Sequence, residues 1–236
     1  MTPTNEQSTY QGLRSAILSL DLVPGERLSE RGLETMLGAS RTPIRAALMR
    51  LQNEGLIQRA GRGWQVTPID LAEVRAVMEY RQAIEAGVIA LAVDRSSDDE
   101  LLALRALVES PRDHDDEESG LRDGSDFHLA LTRLSRNPFF ADAMSGVLTR
   151  LSRTRWLGVR TPEARAQARA EHLDIVLALQ ARDTVLATGL VTAHSQGTRD
   201  RLLSYLTEER RRLRGRGLAI IESSATPPPL VPVRAV

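Results

Sequence analysis

Leu13, Ile17 and Leu20 stand four and three residues apart, so they share one face of a helix over residues 8–20, with Ser8 as its N-cap. Pro24-Gly25 interrupts that pattern as turn punctuation. Ser29 then caps a short second helix. Glu30 lies in its first turn, where the helix dipole favours a carboxylate. Leu33, Met36 and Leu37 are expected to face inward, and Gly38 to end the helix in the left-handed conformation. Ser40 caps a third helix with Pro43 in its first turn, where the missing N–H costs little. Its apolar stripe is Ile44, Ala47, Leu48 and Leu51. Residues 56–59 and 64–67 are short strand-like runs about Ala60-Gly61-Arg62-Gly63, which predicts a hairpin; Pro68 stops the second strand.

From Leu71 the period is helical nearly to the end. Leu71, Val74, Val77, Met78, Ile84, Val88 and Leu91 run along one long helix. Further helices are predicted over residues 98–109, 121–136, 138–160, 162–181 and 184–214. Thr161-Pro162-Glu163 gives a capped start, and Arg182-Asp183 a tight break with Asp183 as the next cap. The acidic run 113–118, broken by His114, reads as a solvated loop. The tail carries Pro227-Pro228-Pro229 and no period, so disorder is expected there. The chain thus reads as mainly α: a winged helix-turn-helix domain over residues 1–70, an all-α helical bundle over 71–215, and a tail over 216–236.

Composition agrees. The 236 residues are 42% hydrophobic and 26% charged, an ordinary globular balance; with only 3% aromatics the core must rest on aliphatic residues, which favours helices. The absence of cysteine excludes disulfide scaffolds, thiolate zinc sites and cysteine nucleophiles. Residues 1–10 are polar and lack the apolar core of a signal peptide, and no apolar run approaches the ~20 residues that cross a bilayer. A cytoplasmic protein without membrane contact is expected.

Net charge is zero, so any nucleic-acid patch must be local. Residues 40–67 supply one: Arg41, Arg45, Arg50, Arg59 and Arg62 face the single acid Glu54. The second and third helices are joined only by Gly38-Ala39-Ser40, the helix-turn-helix spacing, with the hairpin as a wing. In such a unit the third helix enters the major groove of double-stranded DNA. Arg41 and Arg45, one turn apart, offer planar forks for guanine O6 and N7, with Thr42 beside them. Ser40 and the free N–H groups of the first turn can meet a phosphate.

Arg27-Leu28-Ser29-Glu30-Arg31, then residues Ser40-Arg41-Thr42-Pro43-Ile44-Arg45-Ala46-Ala47-Leu48, then Leu51 through Gly55-Leu56-Ile57, resemble the GntR family of bacterial transcription regulators. The resemblance spans about residues 8–68. It implies that Arg31, Arg41, Thr42, Arg45 and Gly63 contact DNA, Arg31 on a phosphate, and that a homodimer binds a short palindromic operator.

All four histidines lie in the helical region. His114 falls in the acidic loop; His128, His172 and His194 fall in three different predicted helices. A bundle can bring such side chains to one point, where neutral imidazoles make a divalent metal site; scattered surface or core histidines are the plainer reading. Arg81 with Glu85 four residues on reads as a simple surface i, i+4 pair. Phe127-His128, Glu171-His172, Ala178-Leu179, Arg182-Asp183, Ala187 and His194, with Tyr80-Arg81 and Glu85, resemble the FCD ligand-binding domain of the FadR subgroup over about residues 71–212. That resemblance implies a divalent metal (zinc, nickel or manganese) on His128, His172 and His194, and a small carboxylate effector reached by Arg81. One departure stands out. The family's acid precedes the first histidine by four residues, and here that position is Gly124. Asp123 can replace it only if the helix begins there and Gly124 lets the backbone bend; otherwise three histidines hold the metal with water or ligand completing its shell, or the metal is absent and the site is a plain anion pocket of histidines and Arg81.

The expected function is a ligand-responsive regulator and not an enzyme. Two alternatives compete with it. A constitutive DNA-binding protein would have a tightly packed helical domain without a cavity. A metal-dependent hydrolase would need a general base near the metal water, and the nearest acid, Glu171, is expected to point away from the histidines.

Overall fold

The computed structural model describes residues 5–110, 116–213 and 219–223. α1 (Asn5–Leu18), α2 (Glu30–Leu37) and α3 (Arg41–Asn53) form the N-terminal helices. α1 starts three residues before Ser8, so Ser8 is a helical residue and not the cap. Ser29 caps α2 by accepting from the Gly32 amide, and Gly38 ends it at φ 61°. Leu33 is buried, but Met36 is 47% exposed and does not face inward. Ser40 is the N-cap of α3 yet makes no side-chain cap hydrogen bond.

The wing is the antiparallel pair β2 (Ile57–Ala60) and β3 (Gly63–Val66), in register Ile57↔Val66 and Arg59↔Trp64. Its two-residue turn is Gly61-Arg62, with Gly61 alone at positive φ, 61°. That is a type II′ turn, whose twist matches the strands it joins. A strand the periodicity did not predict, β1 (Arg27–Leu28), pairs with the free edge of β3. Two residues carry no readable period.

Two apolar cores are separate. The first gathers Leu13, Ile17, Leu28, Ile44, Leu48, Trp64 and Val66. The second begins at Ile69 and runs through the helical region. Its centre is α4 (Leu71–Arg95), capped by the Asp70 carboxylate and packed on the later helices. α5 (Asp98–Glu109) follows behind a capping box of Ser97 and Glu100. α6 (Glu117–Leu134) begins four residues earlier than predicted, because Asp116 accepts from the Ser119 amide as its cap. Glu117 and Glu118 of the acidic run are therefore helical; His114 lies outside the described residues. α7 (Pro138–Arg155) ends before residue 160, where Trp156–Val159 tightens into a 3-10 turn. α8 (Pro162–Gln180) and α9 (Thr184–Leu213) complete the bundle.

The expectation of a disordered tail from 216 fails in part. Ile220–Ile221 form β5, parallel to β4 (Ile69–Asp70). Ala219 donates its amide to the Pro24 carbonyl and accepts from the Ile69 amide. Ser223 reaches the Asp70 carboxylate with both its hydroxyl and its amide. The C-terminal segment thus touches the linker and the first domain at once.

Candidate functional site

At the DNA-facing end, Arg31, Arg41, Thr42 and Arg45 are all exposed. Arg41 donates to Glu34 at 3.0 Å and Arg45 to Glu30 at 3.0 Å. α2 thus carries two acids one turn apart that mirror two arginines one turn apart on α3. The sequence held this pairing, and it is legible only once the two helices are laid side by side. Arg59 stacks over the buried Trp64 ring at 3.6 Å, which stiffens the wing. Gly63 opens β3, where a β-carbon would approach the Leu28 carbonyl at 3.4 Å.

In the helical domain His128 of α6, His172 of α8 and His194 of α9 come together, all buried, with donor atoms within 4.8 Å of one another. Arg81 of α4 enters the same point and is 1% exposed. Glu85, one turn on, is fully buried and lies 3.3 Å from Arg81 Nε and 2.6 Å from His128 Nδ1. It also accepts from the Ser195 hydroxyl at 2.5 Å. The pair is therefore no surface bridge.

Two contacts set the tautomers. His128 Nδ1 faces Glu85, and His194 Nδ1 faces Glu171 at 2.7 Å, so each Nδ1 carries the proton and each Nε2 presents a lone pair. Both lone pairs point at Arg81 Nη2, which lies 2.6 Å from His128 Nε2 and 3.1 Å from His194 Nε2. Glu171, expected to point away, instead orients His194; the α9 side chain comes to it. Its carboxyl sits near pH 2: burial pushes it up, but the hydrogen bond with His194 and the charges of His194 and Arg201 more than offset that.

Burial and the neighbouring Arg81 charge push His128 down to about 3, against the pull of Glu85. Burial, then the other two histidines, also hold His172 well below the usual range. All three imidazoles are neutral at pH 7. Burial would raise the Glu85 carboxyl, yet Arg81 and His128 keep it far below the ordinary carboxylate range. His172 stacks on Phe127, ring centroids 4.0 Å apart, and its Nε2 is buried without a hydrogen-bond partner.

A cavity of about 70 Å³ opens beside the cluster. One water needs roughly 10–15 Å³ by that measure, so a small molecule has room. Arg81, Arg155, Arg165, Arg169 and Arg201 line it, with Phe127, the three histidines and Asp123. Because α6 begins at Glu117, Asp123 lies mid-helix and does not start the helix as a substitute acid must.

The triad suits a divalent ion in donor type. In space it does not fit one, because the lone pairs such an ion would take already accept from Arg81 Nη2. The position of the family's acid holds a second cation: a β-carbon at Gly124 would lie 3.0 Å from Arg155 Nη2 and 4.0 Å from His172 Cε1. The convergence of the histidines is as expected; what they surround is a guanidinium.

Residues 5–66 match the model of bacterial regulatory proteins of the gntR family, and residues 76–197 match the FCD domain. An HTH-type transcriptional regulator in an unstable DNA locus of Streptomyces ambofaciens is 32% identical over 84% of both chains. The HTH-type transcriptional repressor RspR of Escherichia coli is 29% identical, over 82% of this chain and 86% of its own. The solved structure of E. coli McbR/YncC superposes with a TM-score of 0.65 at 20% identity, covering 86% of this chain and 99% of that one, which establishes the shared fold. These relatives are named as transcription regulators, not as enzymes. No helix among the described residues is long and apolar enough to cross a membrane.

Proposed function

Because the chain belongs to the gntR family of bacterial transcription regulators and carries an FCD domain, we propose that it is a cytoplasmic, dimeric regulator whose grip on a palindromic operator responds to a small carboxylate in the helical domain. The observation that carries this reading is the arginine-lined cavity beside the histidine cluster. A purely structural domain would close such a space, because an unfilled void forfeits packing contacts.

In this reading Arg31, Arg41, Thr42, Arg45 and Gly63 meet DNA. Arg41 and Arg45 exchange Glu34 and Glu30 for base edges and phosphate. Exposed ion pairs contribute only about 0–1 kcal/mol, so the exchange costs little. The held acids also repel backbone phosphate wherever the arginines do not turn to it, which disfavours loose, unspecific binding. A helix-turn-helix dimer matches a two-fold operator in symmetry. Effector binding then alters operator affinity by a coupling free energy of about 1–3 kcal/mol.

The test is fluorescence anisotropy on duplexes selected from a random pool. Arg45→Ala weakens the selected site by about 1–3 kcal/mol and relaxes its sequence preference. Small carboxylates at saturation shift the affinity of the wild type. A protein whose operator affinity no metabolite moves is not a ligand-responsive switch.

A further inference from the structure

We infer that residues 219–223 are a clasp between the two domains, and that this clasp sets which spacing of operator half-sites the protein accepts. The inference rests on the dimeric reading above, with the bundles as the paired parts. The joint between the domains is short. Thr67 is tied to the first domain, its amide donating to the Leu56 carbonyl, and α4 begins at Leu71. Only Pro68, Ile69 and Asp70 lie between. Pro68 has no N–H to give, and Ile69 donates its amide to the Ala219 carbonyl. A two-residue strand is ordered only by its partner, which here is β5.

The clasp is rooted in the bundle. Ile220 is buried in the helical core. Glu222 pairs with Arg210 of α9 at 3.1 Å, and Ser223 donates to the carboxylate of Asp70, the cap of α4. From this footing Ala219 reaches the other domain. Its amide donates to the Pro24 carbonyl at 2.8 Å, and a β-carbon on Gly25 would stand 2.5 Å from its own. Gly25 in turn donates to the Val66 carbonyl at 2.9 Å and accepts from the Gln65 side chain at 2.7 Å. The clasp therefore ends on the base of the wing strand β3. Elsewhere the domains meet loosely: α1 touches α7, but a cleft of about 750 Å³ lies between α1 and the α6 and α7 helices.

DNA supplies the ruler. One added base pair moves a half-site by about 3.4 Å and turns it by about 35° around the duplex. Two readers clasped at a fixed angle to paired bundles fit one spacing. Readers on a free joint follow several, and each binds more weakly because the joint is ordered only on binding.

The test is fluorescence anisotropy of the full chain on a selected operator and on versions with its half-sites moved apart by one, two and three base pairs. Ala219→Pro removes the amide that reaches Pro24 but keeps the carbonyl of residue 219 and the anchor Ile220; Ala219→Gly keeps the amide. We expect wild type and Ala219→Gly to lose at least about tenfold in affinity at one added base pair, and Ala219→Pro to lose less than about threefold while binding the best operator roughly three- to tenfold more weakly. The chain has no cysteine, so Met49→Cys on α3 and Leu102→Cys on α5, both exposed, take spin labels at unique places. In labelled chains diluted with unlabelled ones, the distance between them is narrowly distributed in the wild type and broad in Ala219→Pro, at unchanged helical content by circular dichroism. Glu222→Ala with Ser223→Ala loosens the root of the clasp without touching the first domain, and shifts both readouts the same way; this pair decides the matter should Ala219→Pro lose its fold. Variants with narrow distances, with the spacing dependence of the wild type, or with operator affinity equal to or above it overturn the inference. A wild type that binds one half-site as tightly as two defeats the dimeric reading and this inference with it. A wild type that reads spacing, beside an Ala219→Pro that reads it as strictly, defeats this inference alone.

Discussion

Glu85 touches Arg81, His128 and Ser195 from a fully buried position. Removing one partner of a buried pair leaves an uncompensated charge, so Glu85→Ala is expected to destabilise the helical domain by about 3–5 kcal/mol. Urea denaturation followed by circular dichroism measures it; a loss below about 1 kcal/mol means that Arg81 is not held by this carboxylate. The sequence made Arg81 and Glu85 visible as an i, i+4 pair but did not say which side of the helix they take. Burial decides that, and burial belongs to the whole bundle. Glu171 teaches the same lesson from the other side. Its neighbour His172 does point elsewhere, as helical spacing requires, yet a histidine from α9 meets it. Periodicity along one helix is silent about partners on another.

Elements with local punctuation were legible. α2, its glycine cap, α3 and the wing follow from Ser29, Gly38, Pro43 and Gly61, each of which fixes a cap or a turn by its own chemistry. β1, β4 and β5 were not, since two-residue strands have no period and exist only through their partners. Asp70 joins two of these elements. It caps α4 through the Ala72 amide and receives Ser223 from the C-terminal segment. Asp70→Ala should therefore cost about 1–2 kcal/mol, the range for a lost N-cap, and also free β5. The check is amide hydrogen exchange: Ile69, which donates to Ala219, exchanges faster in the variant than in the wild type. Gly25 is a second joint. It sits at φ 89°, and a β-carbon there would stand 2.5 Å from the Ala219 β-carbon. Gly25→Ala meets both backbone strain and the C-terminal segment, and its urea midpoint should fall with Ile69 exchange rising in step.

On the scale of the whole molecule, Arg155 borders two spaces. One is the histidine cavity; the other is a cleft of about 750 Å³ between Gln11, Arg14 and Leu18 of α1 and the α6 and α7 helices. A ligand that draws Arg155 inward changes the wall of the cleft that carries the DNA-reading domain. The small carboxylate of the proposed function is therefore expected to alter hydrogen exchange in α1 of the wild type and not of Arg155→Ala. Equal exchange in both proteins would mean that the message takes another route, the strap of β5 on β4 being the nearest.

That strap also has a place in time. Ile220 and Ile221 are made roughly 150 residues after the Ile69 and Asp70 they join, which at a synthesis rate of about 5–20 residues per second is a gap of roughly 8–30 seconds. The first domain, whose core closes within residues 10–66, can fold while still tethered to the ribosome. During that interval the N-terminal domain exists without the segment that ties it to the helical domain, and each newborn chain passes through a stage in which β5 has yet to join the two.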